Sequence, residues 1–464
     1  MPISNVGALA FTLSITPPRT AMTPSNSASP FRILAQCPPG LEATLARELA
    51  VMGIPAPALT PVVGGVIWEG GWPHLLRANL HLRVASRVLV EVGSFRARAL
   101  GELVRKARQA VDWERVRGAA AGDEDRIVFR VSASRSRLYH EGAIEERLRQ
   151  AGGLPEGPSL GVGAAANGVG ATTPAVNDST SETDDRTFAT AASAGTTRAP
   201  APAPHATPIL VVVRVHRDRV TVRLDTSGAH LHLRGYRRNV GTAPMRETLA
   251  AALLLQGPLQ PDGQWSRPAV VDPFCGSGTI PIEAALLARR IPPGMASPDL
   301  TPRDFACLHW PDLPLAVWEE EVARAHAMIR PRPLEGFTIH GSDRDPRMVE
   351  AAQANASRAG VEGDIHLEAA PLSRAPHPDE PGWIVTNPPF GTRLGGRKSL
   401  RPLYAALGRS VQSGGRMAGW DLLYLSADPV LDLATGLALE ERMATRHGGL
   451  AVRGVTAHPH ASGF

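Results

Sequence analysis

Between residues 269 and 425, five short apolar runs alternate with helical stretches: Ala269–Asp272, Phe337–Asp343, Asp364–Glu368, Trp383–Thr386 and Trp420–Leu425. The helices fall at Thr279–Arg289, Pro346–Ala359 and Leu400–Gln412, and another, Leu315–Met328, lies in a long excursion between the first two strands. Strands separated by helices pair in parallel through crossovers, so this stretch predicts a doubly wound α/β sheet with its ligand crevice beyond the carboxyl ends of the strands. A weaker pair near Glu441–Thr445 and Leu450–Val455 brings the expected sheet to seven strands.

Three of the strand ends carry chemistry. Asp272-Pro273-Phe274-Cys275-Gly276-Ser277-Gly278-Thr279 follows the first strand and opens a helix. Gly276 and Gly278 let the backbone turn and approach a ligand, and the helix N-terminus offers unpaired N–H groups. No lysine follows the glycines, which excludes a P-loop, and Asp272 disfavours a pyrophosphate. A sulfonium with an amino-acid tail suits this loop; a purely structural turn is the alternative. Asp343 ends the second strand, where a carboxylate can accept from both ribose hydroxyls. Asp345-Pro346 just beyond it reads as a helix cap. Asn387-Pro388-Pro389-Phe390-Gly391 ends the fourth strand. Its prolines hold a rigid corner, so the Asn387 amide oxygen and the Pro388 carbonyl can grip an exocyclic amine while Phe390 stacks on the base.

These three segments, in this order, resemble the class I S-adenosylmethionine-dependent amino-methyltransferases. The resemblance continues upstream through Arg77 to Leu89, Ser134 to His140 and Asp225 to Arg237, which are similar to RNA methyltransferases carrying a THUMP domain. Arg303 to Pro311 and His447-Gly448-Gly449-Leu450 resemble the branch that makes N2-methylguanosine in large-subunit (23S) ribosomal RNA. The resemblance implies a Rossmann-like methyltransferase domain with a mostly parallel seven-stranded sheet, preceded by an α/β THUMP-containing RNA-binding domain. It implies that Asp272, Phe274, Gly276, Gly278 and Thr279 line the methionine side of S-adenosylmethionine and Asp343 holds the ribose. Asn387, Pro388 and Phe390 then receive the guanine, with Arg393 facing phosphate. Two positions depart from the family pattern: Thr392 replaces a common Glu, and Ala369-Ala370-Pro371-Leu372 lacks an acid near the adenine, so backbone groups are expected there. A transfer-RNA guanine-N2 methyltransferase and a non-catalytic RNA-binding or ribosome assembly factor are the competing readings.

The boundaries follow from periodicity. Residues 1–30 read as a disordered tail; 31–225 as the ferredoxin-like and THUMP region, with a Gly/Ala/Thr/Ser/Pro-rich disordered insertion at 151–208; 226–240 as a basic connector; and 241–464 as the methyltransferase domain. Within the first unit, Leu41, Leu45 and Leu49 mark a helix, Val62–Trp68 a strand, Arg83–Val90 a helix end passing into a strand, Leu100–Ala110 a helix, and Ile209–Val215 with Val220–Asp225 a hairpin. The net charge is +5, and of 49 basic residues only Lys106 and Lys398 are lysine, a balance that permits a nucleic-acid partner. In the connector, Arg234, Arg237 and Arg238 lie beside Tyr236, pairing phosphate-binding forks with a stacking ring for RNA, with a solvated basic linker as the alternative; Arg135 and Arg137 with Tyr139 repeat the combination, or mark the wet face of a strand. Three scattered cysteines exclude a disulfide framework. With no apolar run of membrane-spanning length, the expectation is a cytoplasmic protein with an RNA partner, no membrane and no obligate protein partner.

Overall fold

The computed structural model describes residues 30–156, 208–238, 245–260, 263–390 and 397–458. The expected tail and nearly all of the expected insertion fall outside the described residues. The chain builds two seven-stranded sheets. The first contains β1 (Phe31–Gln36), β2 (Thr60–Val62), β3 (Gly65–Gly70), β4 (Arg87–Arg96), β5 (Ile127–Ser134), β6 (Ile209–His216) and β7 (Arg219–Asp225), in the order β2-β3-β1-β4-β7-β6-β5. Five helices accompany it: α1 (Glu42–Val51), α2 (Trp72–His81), α3 (Leu100–Ala110), α4 (Trp113–Ala119) and α5 (Glu141–Gly152). The strand expected over Val62–Trp68 is instead two strands of a hairpin. Gly64, at φ +81°, makes the turn, and a Cβ on Gly65 would lie 2.3 Å from the Ala35 carbonyl oxygen. β5 and β6 pair in parallel from Ile127↔Ile209 to Ser134↔His216 although 74 residues separate their facing ends (134 to 209).

The second sheet begins after α6 (Glu247–Gln256). It contains β8 (Ala269–Asp272), β9 (Thr338–Asp343), β10 (His366–Ala369), β11 (Trp383–Thr386), β12 (Asp421–Ser426), β13 (Glu440–His447) and β14 (Leu450–Ala457), ordered β10-β9-β8-β11-β12-β14-β13. Strands β8 to β12 are parallel, while β14 and β13 return antiparallel. Strand faces alternate as a pleat requires. Val270, Val385 and Leu423 join the apolar core that extends into the first sheet, with α7 (Thr279–Ala288), whereas Val271, Ile384 and Leu422 pack with Leu400, Tyr404 and Leu407 of α10 (Arg397–Val411). The remaining helices are α8 (Leu315–Met328), α9 (Pro346–Arg358) and α11 (Pro429–Ala434). The order reverses between β8 and β11, so the loops after β8, β9 and β11 open on one crevice. No helix among the described residues is long and apolar enough to cross a membrane.

Buried polar contacts lock the two sheets together. Arg77 on α2 makes a two-pronged pair with Glu321 on α8, at 2.7 and 2.9 Å. Within the first unit Asn79 exchanges hydrogen bonds with Thr226 and Ser227, at 2.9 and 2.7 Å, and the Thr226 carbonyl so held accepts from the Cys307 amide of the second unit at 3.1 Å. At the centre, Glu283 on α7 has no exposed surface. Its Oε1 accepts from Tyr236 at 3.1 Å and from Arg234 at 3.4 Å; its Oε2 faces Arg83 at 4.0 Å. Arg83 in turn donates to the Ile291 carbonyl at 2.6 Å. Replacing Glu283 by Ala would take from Arg83 and Arg234 their directly paired carboxylate and leave them only Glu48, which accepts from the Arg83 and Val84 amides. A loss of about 3–5 kcal/mol is expected, measured as a lower urea midpoint, and a Glu283→Gln protein should unfold between the two.

Candidate functional site

Asp272, Asp343 and Asn387 stand at the carboxyl ends of three neighbouring strands, β8, β9 and β11 respectively, and their loops are tied to one another. After β8 the chain turns through Gly276 (φ +52°) and Gly278 (φ +84°). A Cβ on Gly278 would sit 2.9 Å from the Ala352 Cβ of α9, so glycine is required there both for its backbone angle and for space. The Cys275 amide donates to the Ser342 carbonyl at 2.9 Å, and the Gly276 amide donates to Asp343 Oδ2 at 3.1 Å. Asp343 Oδ1 accepts from the Asp345 amide at 3.0 Å. These bonds orient the Asp343 carboxylate, and each oxygen keeps a second acceptor position. Gly278 caps α7 without a side-chain hydrogen bond, so the first amides of α7, beginning at Thr279, face the loop unpaired by a cap. Phe274 is half-buried against the apolar cluster on the α10 side.

Asp272 is buried. Its Oδ1 accepts from Thr386 Oγ1 at 2.5 Å and from the Phe274 amide at 3.1 Å. Burial pushes its carboxyl up to about 7; the Asp343 carboxylate adds to the rise, and the two hydrogen bonds oppose it. A carboxyl raised on folding stabilises the fold fully below its unfolded pKa near 4 and loses that contribution as pH rises through 7. Between pH 4 and 8 the ligand-free wild type should therefore lose more melting temperature than an Asp272→Asn protein, as followed by circular dichroism.

The corner after β11 is rigid. Pro388 is buried, Pro389 and Phe390 are half-buried, and the Pro389 carbonyl accepts from the buried Tyr404 hydroxyl of α10 at 3.4 Å. Asn387 Oδ1 is shut off from water and has no hydrogen-bond partner among the described residues. A buried acceptor left unmatched costs free energy that an incoming amine can recover. Sequence reasoning missed Thr386 and Tyr404. Thr386 is adjacent to the motif and could have been suspected, whereas nothing local connects Tyr404 to a proline fifteen residues earlier.

Three expected RNA-binding residues are not available. Arg234 is buried, donating to the Leu231 and Arg83 carbonyls at 2.5 and 2.6 Å besides Glu283. Tyr236 has no exposed surface. Arg237 pairs with the buried Glu247 at 3.1 Å and donates to the Met245 carbonyl. Arg234 and Arg237 make this part of the connector a strut, because they match Glu283 on α7 and Glu247 on α6, whereas Arg238 stays exposed. Arg393, with Thr392 and Leu394, lies outside the described residues. Of the backbone groups expected to meet an adenine after β10, the Ala370 amide donates to the Asp343 carbonyl at 3.0 Å and so is already committed.

Comparison with known proteins adds the lineage. A family described as RMKL-like, methyltransferase domain, matches residues 234–451, and the RlmL ferredoxin-like domain matches residues 32–89. YpsC of Bacillus subtilis, a protein with a provisional RNA-methyltransferase assignment, is 30% identical over 411 residues, 88% of this chain and 90% of that protein. The chain belongs to the RMKL-like methyltransferase family. The ribosomal RNA large subunit methyltransferase K/L of Chromohalobacter salexigens is 33% identical over 430 residues, 91% of this chain. The chain spans about half the length of the K/L relatives it matches, 51% in that case. Among solved structures, a predicted N6-adenine-specific DNA methylase from Listeria monocytogenes superposes with a TM-score of 0.67 at 28% identity, over 92% of this chain and 96% of that one. SMU.472, a provisionally assigned methyltransferase solved with SAH, gives 0.69 at 25% identity over 93% and 98%. The family places a methyltransferase domain on the second sheet, where the three strand-end motifs converge.

Proposed function

We propose that the protein transfers the methyl group of S-adenosylmethionine to the exocyclic N2 of a guanine in RNA, the RNA being that of the large ribosomal subunit. The observation that carries this reading is the unpartnered, buried Oδ1 of Asn387, held beside a proline carbonyl that the following proline cannot engage. Two acceptors at one rigid corner suit an amino group with two protons. Asn387 accepts one, the Pro388 carbonyl accepts the other, and the nitrogen lone pair is left to face the crevice. Phe390 offers its ring to the base.

The glycine turn, the open amides of α7 and the carboxylates of Asp272 and Asp343 fit a ligand with a cationic amino-acid end and a ribose. When bound, S-adenosylmethionine supplies a methyl group already activated by its sulfonium, so no strong base is required. The chain's contribution is positioning: it brings the amine into line with the methyl group and keeps it there. A guanine inside a helix must first leave its stack, which costs a few kcal/mol, so a loop or incompletely folded RNA is the preferred substrate. The K/L names borne by several relatives support ribosomal RNA over transfer RNA. On the same reading, residues 31–225 form a THUMP-containing RNA-binding unit and residues 241–464 the catalytic unit of a cytoplasmic enzyme.

The test is label transfer from S-adenosylmethionine into separated ribosomal and transfer RNA from a strain lacking the gene, with the nucleoside identified by mass. N2-methylguanosine in large-subunit RNA is expected; label in transfer RNA alone would reassign the substrate, and label in neither would overturn the activity. Asn387→Ala should keep S-adenosylmethionine affinity by calorimetry and lose kcat by on the order of 10²-fold, the usual scale for removing one positioned hydrogen-bonding group.

A further inference from the structure

The first sheet ends, away from the catalytic unit, in a dense set of arginines. Arg87 at the start of β4 pairs with Asp225 beside Thr226, whose carbonyl accepts from the Cys307 amide of the second unit at 3.1 Å. Nine residues later β4 finishes at Arg96, on the order of 30 Å further along the strand. At that far tip β5 and β6 stop together at the pair Ser134↔His216, and the next residue on each is an exposed arginine, Arg135 and Arg217. Both arginines adopt left-handed backbone, with φ of +50° and +49°, where glycine would be less strained. Arg217 with Asp218 (φ +62°) makes the two-residue turn that closes the His216↔Arg219 pair.

Further features extend this tip into a surface. Tyr139 is 66% exposed and lies against the His140 ring at 4.1 Å, just before α5. The helices α3 and α5 both set out from the tip, and the groove between them has a volume of about 710 Å³. Arg105, Arg108 and Arg147 line it, with Gln109 and Gln150. The nearby acids are largely paired locally. Glu102 pairs with Lys106 at 2.7 Å; Asp218 accepts from Arg98 and from the Arg137 amide at 3.0 and 2.9 Å; Glu146 lies 3.5 Å from Arg147.

We infer that the tip, through Arg135 and Arg217, and the α3/α5 groove, through Arg105, Arg108 and Arg147, bind the sugar-phosphate backbone of the substrate RNA at a distance from the methylated base. This rests on RNA being the substrate. Forked guanidinium groups along a groove match a row of phosphates, and the Tyr139 and His140 rings offer a platform for one unpaired base. The surface sets affinity and register, and the crevice does the chemistry.

The experiment compares wild type, Arg135→Gly/Arg217→Gly, and Arg105→Gln/Arg108→Gln/Arg147→Gln. Binding to unmodified, transcribed large-subunit RNA is measured over a salt series, alongside methyl incorporation and melting temperature. The glycine variant relieves backbone strain, so it should melt at or above the wild-type temperature yet bind RNA about tenfold more weakly. The glutamine variant should flatten the slope of log affinity against log salt by about two to three, near 0.7–0.9 for each phosphate no longer neutralised. Both should raise KM for RNA, with kcat at saturating RNA and S-adenosylmethionine affinity unchanged. Unchanged affinity and slope in both variants, with a wild type that methylates RNA, would overturn the surface and leave the function standing. A wild type that neither binds nor methylates RNA would overturn both.

Discussion

A carboxylate with no access to water, Glu283, holds the molecule in its working shape. It lies on the helix that starts at the glycine turn, and it takes Tyr236 and Arg234 from the connector and faces Arg83 from the first unit. The connector also reaches α9: the Tyr236 carbonyl accepts from Arg358 at 2.7 Å, and Asn355, which accepts from the Arg238 amide at 3.3 Å, donates to the Ser277 carbonyl at 2.9 Å. The same few groups that join the two sheets therefore also brace the loop beneath the crevice. Buried ions bind strongly only where geometry and hydrogen bonds are nearly complete, and such a cluster tolerates few alternative arrangements of the two units. The first sheet is thus held in one orientation to the crevice.

In the crevice, stability and chemistry pull in opposite directions. Asp272 is buried beside a second carboxylate, which raises its carboxyl to about 7, while Asn387 keeps an acceptor dry and unmatched. Both arrangements disfavour the empty protein and favour a ligand that brings a positive end and a pair of N–H protons. Their rigidity comes from groups that touch no ligand in this reading. Thr386 links the ends of β8 and β11 through Asp272, and Tyr404 steadies the proline corner from α10.

Much of the second unit was legible from sequence because its signals are local. β-branched runs such as Val270-Val271 and Ile384-Val385 fill buried parallel strands, and the motifs fall at their ends, where a doubly wound sheet puts its crevice. Glycine at 276 and 278 announced a turn that the φ angles display. The first unit was harder to read. The hairpin of β2 and β3 looked like one strand because Gly64-Gly65 is short; α2 carries Trp72, Leu75, Leu76 and Leu80 at helical spacing that sequence reasoning passed over, and α4 has only seven residues. β5 and β6 could be seen singly, but their parallel pairing joins residues far apart in the chain.

Fold class, the three strand-end motifs and the lineage they mark are all readable along the chain, since each depends on residue types within a few positions of one another. Only the tertiary structure decided what the charges do. Arg234, Tyr236 and Arg237 read as a nucleic-acid patch, with forks and a ring in an exposed-looking stretch, and folding buries Arg234 and Tyr236 against Glu283 and pairs the partly covered Arg237 with Glu247. Arg135, which the sequence already offers beside Tyr139, meets Arg217, 82 residues away and carrying no such signal, at an exposed tip. A charge acquires its role from the dielectric and the partners around it, and those are set by contacts between residues distant in sequence.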